Sequence, residues 1–92
     1  MTKRWSRKDP DETVKYGIDW SPALEVGDSI ASARFVVVTG SATLFAPAFS
    51  GAATTVFVSG GVLLENCEIL GEVITAGGEI LQETALLPIR KR

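Results

Sequence analysis

The chain has no histidine and a single cysteine, Cys67. The first absence removes the commonest general base and metal ligand, and with it any Ser-His-Asp set. The second rules out an internal disulfide. Cys67 falls among Ile69 and Val73 on one face of an alternating stretch, so it reads as a small core residue and not as a nucleophile. No phosphate-binding loop and no glycine fingerprint between a strand and a helix is present. Asp9, Asp11 and Glu12 cluster, but around Pro10, in a pattern of a turn more than of a cation site needing six or more oxygens. The reading is of a protein with no catalytic residues, no metal and no cofactor, and not an enzyme.

Charge is missing over a long interval. Residues 35–64 carry none. A helix crossing a membrane needs roughly 18–20 consecutive apolar residues. Here Thr39-Gly40-Ser41, Pro47, Ser50-Gly51 and Ser59-Gly60-Gly61 interrupt every apolar run, so the interval reads as short strands and tight turns. The charged start also lacks the apolar core of a secretory signal.

The charge that is present is unevenly placed. Lys3, Arg4, Arg7 and Lys8 open the chain and Arg90, Lys91 and Arg92 close it. Residues 9–89 hold two cations against eleven acids, a net of −9. The basic ends are either solvated or reach an acidic neighbour. No aromatic-rich basic face accompanies them, so they do not point to nucleic acid.

Ninety-two residues make one domain. Periodicity makes it all-β. Val14, Tyr16, Ile18 and Trp20 share one face of a strand over residues 13–20. A longer strand follows over 29–38, whose apolar parity changes between Ile30 and Phe35; a bulge or bend between them, or burial of both faces near Val36, would reconcile it. Residues 42–46 form a short strand that Pro47 stops. Val56 and Val58 alternate within a strand over 54–59. Cys67, Ile69, Gly71 and Val73 face inward along 65–75, with Glu65, Glu68 and Glu72 on a solvated face. Leu81, Ala85, Leu87 and Ile89 share a face of the last strand, which Pro88 places at a sheet edge or ends. Gly27-Asp28 and the glycine turn around Gly77 punctuate the series. The expected fold is a small antiparallel β-sandwich over residues 9–92, preceded by an extended basic arm over 1–8.

Trp5 lies in that arm, outside any expected strand. An indole in a tail needs a pocket, either on a neighbour or on its own domain. An uncharged interval of this length is hard to cover within so small a domain, so part of it is expected against another subunit, around Pro47 and Phe49.

"KDPDETVKYGIDW", "GDSIASARF", "VFVSGG" and "ITAGGE" stand in this order along nearly the whole chain. The set resembles a family of small phage and prophage virion proteins, the fiber-tail adaptors. Lys8-Asp9-Pro10, then Tyr16, Ile18, Asp19 and Trp20, then Gly27, Asp28 and Ile30 match its pattern, as do Ser59-Gly60-Gly61 and Ile74 to Gly77. The chain departs from it at Phe35, at Val62-Leu63-Leu64 and in ending its hairpin on Glu79. The resemblance implies an immunoglobulin-like sandwich in a virion, assembled in the host cytoplasm, with no catalysis. It implies an assembly adaptor linking the tail or neck ring to fibers in a symmetric homo-oligomeric arrangement, with other virion proteins as partners. A capsid-bound decoration or cement protein is the alternative. The expected contact residues are Trp5, Arg4 and Arg7 of the arm, with Pro47 and Phe49 of the uncharged interval.

Overall fold

The computed structural model describes residues 2–91; Met1 of the expected arm and Arg92 of the basic C-terminal end lie outside the described residues. Among the described residues there are seven strands: β1 (Thr2–Arg4), β2 (Val14–Asp19), β3 (Ile30–Thr39), β4 (Ala42–Ser50), β5 (Ala53–Gly60), β6 (Asn66–Thr75) and β7 (Ile80–Pro88). They form a four-stranded sheet, β1-β7-β6-β3, packed on a three-stranded sheet, β2-β5-β4. All pairings are antiparallel except that of β1 on β7. The first strand pairs with the last, in the sheet that does not contain β2.

The alternation seen in the sequence builds the core. Ile18, Val56 and Val58 from one sheet meet Cys67, Ile69, Val73, Ala85, Leu87 and Ile89 from the other. Trp20 is buried with them, and its indole N–H donates to Thr54 Oγ1 at 2.9 Å. That bond lets a fully buried hydroxyl and a buried indole satisfy each other. Val14, expected in the core, packs against it while partly exposed. The register shift between Ile30 and Ser32, with Val36 exposed, decides for a bulge over burial of both faces of β3. Gly71 leaves room for Ile18, since a Cβ there would stand 2.8 Å from Ile18 Cδ1.

One strand boundary at a proline differs from expectation and another agrees with it. β4 does not stop at Pro47 but runs on to Ser50, across a register shift between Phe45 and Ala48. As an edge strand, β4 can turn the side lacking an N–H away from its partner. β7 does end at Pro88, but as an inner strand, because β1 covers part of its outer side.

The largest difference concerns the expected extended arm. Residues 2–4 are a strand, and Trp5 N–H continues the pairing by donating to Leu86 O at 2.9 Å. Trp5 is 4% exposed. Its indole stacks on Tyr16 with centroids 4.8 Å apart and donates to Gly17 O at 3.1 Å. The Tyr16 hydroxyl donates back to Ser6 O at 2.9 Å. The segment therefore ties β7 to β2 and closes one side of the sandwich.

Candidate functional site

The segments that carried the resemblance meet in pairs that fix the connections. Lys8 is 0% exposed, and its ammonium donates to Asp9 O at 2.7 Å and to Gly60 O at 2.6 Å. It thereby pins the start of the chain to the corner after β5. A buried ammonium persists only when its protons find acceptors, and two carbonyls supply them. Beyond it, residues 9–12 form a self-capped turn. Glu12 N–H donates to Asp9 O at 3.0 Å, Asp11 N–H to Asp9 Oδ1 at 3.0 Å, and Asp9 N–H to Glu12 Oε1 at 2.9 Å. The three acids are thus parts of a turn.

At the other end, the Gly27-Asp28 turn meets the β6–β7 hairpin. Asp28 Oδ1 accepts from Ser29 N–H at 2.8 Å and from Gly77 N–H at 3.0 Å. These bonds, with one from Thr75, hold the Asp28 carboxyl below the usual range, the Ser29 bond being the largest cause.

Sequence reading gave Glu65 a place on a solvated strand face. The structure puts it just before β6, where Oε1 accepts from Val62 N–H at 2.9 Å, Ser41 Oγ–H at 2.7 Å, Ser41 N–H at 3.2 Å and the Cys67 thiol at 3.4 Å. The Val62 and Ser41 bonds pull its pKa down to about 2. Cys67 is itself pushed up, by burial first and by the Glu65 bond second, which is the reverse of nucleophile activation. No local pattern signals this clasp, because its partners are more than twenty residues apart in one case and two or three in the others.

The five expected contact residues separate. Trp5 is in the core and is removed as an anchor for a neighbour. Arg4 and Arg7 are exposed. Pro47 and Phe49 are exposed on β4, where residues 43 and 45–50 are all solvent-facing and uncharged. Phe49 stands opposite Thr54, whose side chain is fully buried. Opposed residues share a face of the sheet, so Phe49 points to the core side. It is nevertheless 44% exposed. The end of the β4–β5 hairpin thus overhangs the sandwich, with an aromatic ring on its uncovered side.

Sequence reading missed the outer face of the same strand. Phe45 stands opposite Phe57, and their rings stack with centroids 5.4 Å apart. Lys15 reaches over the Phe57 ring, its Nζ 5.9 Å from the centroid. The period-two pattern in β5 put Phe57 opposite Val56 and Val58, but only strand pairing could bring Phe45 to it. Between Phe45 and Ala48 the ladder breaks, and Ala46 adopts φ 51°. A non-glycine residue there is strained by roughly 1–3 kcal/mol. The bulge and Pro47 deny an incoming strand a continuous ladder, so β4 offers side chains more than backbone.

None of the curated proteins matches the chain. The profile of one protein family, described as podophage GP4 fiber-tail adaptor protein gp77, matches residues 8–88. Its match begins at the buried Lys8 and ends at Pro88, the last residue of β7, and so takes in both sheets apart from β1. With a match of that extent, on a sandwich whose motif residues serve to hold turns and corners, the chain belongs to the podophage fiber-tail adaptor family and is a structural component of the phage tail.

Proposed function

We propose that this protein is an assembly adaptor that links the tail or neck ring to the fibers, docking through the β4 side of its sandwich. The observation that carries the reading is the uncharged, exposed run over residues 45–50 on an edge strand, with the Phe49 ring 44% exposed within it. Exposed aromatic rings grouped on one strand supply a large apolar contact at small cost in side-chain entropy. Pro47 and the bulge beside it keep the free protein from pairing edge to edge in the meantime. Arg4 and Arg7 are rim charges in this reading, acting on the rate and register of docking. Copies set around a symmetric ring would each present the same strand to the next component.

The test places a charge in the contact. Phe45→Lys and Phe49→Lys are expected to lower the occupancy of this protein in purified particles. The thermal midpoint of the isolated domain should stay within a few degrees, because both rings are half exposed. Normal occupancy in both variants would move the contact elsewhere. Density for the protein on the head in a particle reconstruction would favour a capsid decoration role instead.

A further inference from the structure

Among the described residues the two sheets end on four strands, β1 and β3 in one and β2 and β4 in the other. An edge strand offers unpaired N–H and C=O groups to any extended chain, and proteins guard such edges with charge, proline, bulges or cover. Three of the four are guarded. β1 carries Lys3 and Arg4. β2 carries Lys15 and Asp19, and Trp5 and Ser6 lie beside it, joined through the indole bond to Gly17 O and the Tyr16 hydroxyl bond to Ser6 O. β4 carries Pro47 and breaks its ladder beside Ala46.

β3 is the exception. It contains no proline, and Arg34 is its single charge, held on the outer face by Glu72 at 2.7 Å. Register shifts bound a regular run over residues 32–37, roughly 20 Å long. Along this run every second residue turns its N–H and C=O away from β6. Among the described residues, no backbone–backbone bond outside the ladder with β6 reaches residues 31–38. β3 is the opposite edge of its sheet from β1, with β6 between it and β7. Ser32, Arg34 and Val36 are exposed on the outer face, whereas Ala33, Phe35 and Val37 are half-buried and pack against the core. Leu44 of β4 packs on the same core from the facing sheet. A strand added at β3 would cover the open flanks of Ala33, Phe35 and Val37 with its own alternate side chains, so these must be apolar. A charged side chain there would be desolvated without a partner, because residues 35–64 carry no charge.

We propose that the β3 edge over residues 32–37 receives an extended segment of a partner protein as an added strand of the large sheet, with uncharged apolar side chains at alternate positions beside Ala33, Phe35 and Val37. Main-chain bonds give such a guest its affinity, and the apolar flank gives its specificity. A second copy of this chain does not supply the strand. Its β1, β2 and β4 edges are guarded, so only its own β3 could pair. β3 and β4 are the last strands of their sheets on one side of the sandwich and adjoin each other. Twofold pairing of β3 on β3 would set the two β4 edges, each with its bulge and Pro47, against each other, while a single extended segment lies beside β3 alone. The inference goes beyond docking through β4, and neither proposal depends on the other.

The test uses the full chain and three blocked peptides, titrated to millimolar concentration with amide resonances and amide exchange as readout. Ser-Val-Thr-Val-Thr-Val-Ser supplies main-chain donors and an apolar face. Ser-Lys-Thr-Lys-Thr-Lys-Ser keeps the donors and loses the apolar face. Ser-Val-Pro-Pro-Thr-Val-Ser loses two adjacent N–H groups, and since neighbours point to opposite sides, one of them faces β3 in either register. The valine peptide is expected to shift the amides of residues 32–37 and to slow their exchange. The proline peptide should bind roughly three- to tenfold more weakly, and the lysine peptide should leave these amides unmoved. Ala33→Lys, which sets a charge on the core-facing side of the edge, should weaken the valine peptide by about tenfold. Should that variant not fold, the three peptides on the unaltered chain decide. Equal binding of the valine peptide and either control, shifts confined to other strands, or no shifts at all would overturn the proposal. So would concentration-dependent protection of residues 32–37 without peptide, since this would show a second copy at the edge.

Discussion

Replacing Trp5 by alanine should destabilise the domain severely, although Trp5 lies only five residues from the start of the chain. An indole buried to 4% exposure removes roughly 200 Å² from water, worth up to about 5 kcal/mol at 25 cal/mol per Å². The stack on Tyr16 adds about 0.5–1.5 kcal/mol, and the bond to Gly17 O about 1 kcal/mol. Part of this is recovered as neighbours relax and water reaches the Gly17 carbonyl. The measured range for Trp→Ala in cores, about 3–5 kcal/mol, is therefore the expectation. A domain of this size has only about 5–14 kcal/mol in total. The thermal midpoint, followed by near-ultraviolet circular dichroism, should drop by roughly 15–25 °C. Deleting residues 1–7 should cost more, because the pairing of β1 on β7 goes as well. Trp5→Phe, which keeps a ring against Tyr16 but loses the indole bond, should cost only about 1–2 kcal/mol. A Trp5→Ala protein whose midpoint moves by less than about 4 °C would refute the placement of this residue in the core.

Other consequences are as concrete. Lys8→Met should cost about 2–3 kcal/mol in urea unfolding with an unchanged slope, because the Asp9 and Gly60 carbonyls lose their donor; an unaffected midpoint would show that water replaces the ammonium freely. Glu65 titrates near 2 in the folded protein against an ordinary value of 4.5. Its charge therefore stabilises fully above pH 4.5, and that contribution is lost as the pH falls toward 2. Glu65→Gln should be less stable than the parent at neutral pH, with the gap narrowing below pH 4.5; parallel curves of thermal midpoint against pH would rule the clasp out.

Alternation in the sequence was enough to determine an all-β chain and most of its core. A side-chain period of two leaves no freedom about which of Cys67, Ile69, Val73, Leu87 and Ile89 face inward once one face is buried. A change of apolar parity between Ile30 and Phe35 was legible for the same reason, but only the register of β3 on β6 showed it to be a bulge. The ordered set of short motifs also pointed to the family, because it spans nearly the whole chain. What residues 1–8 do was not legible. A three-residue strand is too short to show a period, and four cations in eight residues look like a solvated tail. Only pairing with β7, more than eighty residues away, turned them into an edge strand and put the indole of Trp5 against Tyr16. The candidate contact surfaces divide in the same way. The sequence determined that residues 35–64 have no charge, but tertiary structure decided that Phe49 overhangs the sandwich and that Phe45 meets Phe57. These are consequences of where strands end relative to one another, and register between distant segments is set by the packing of both sheets together.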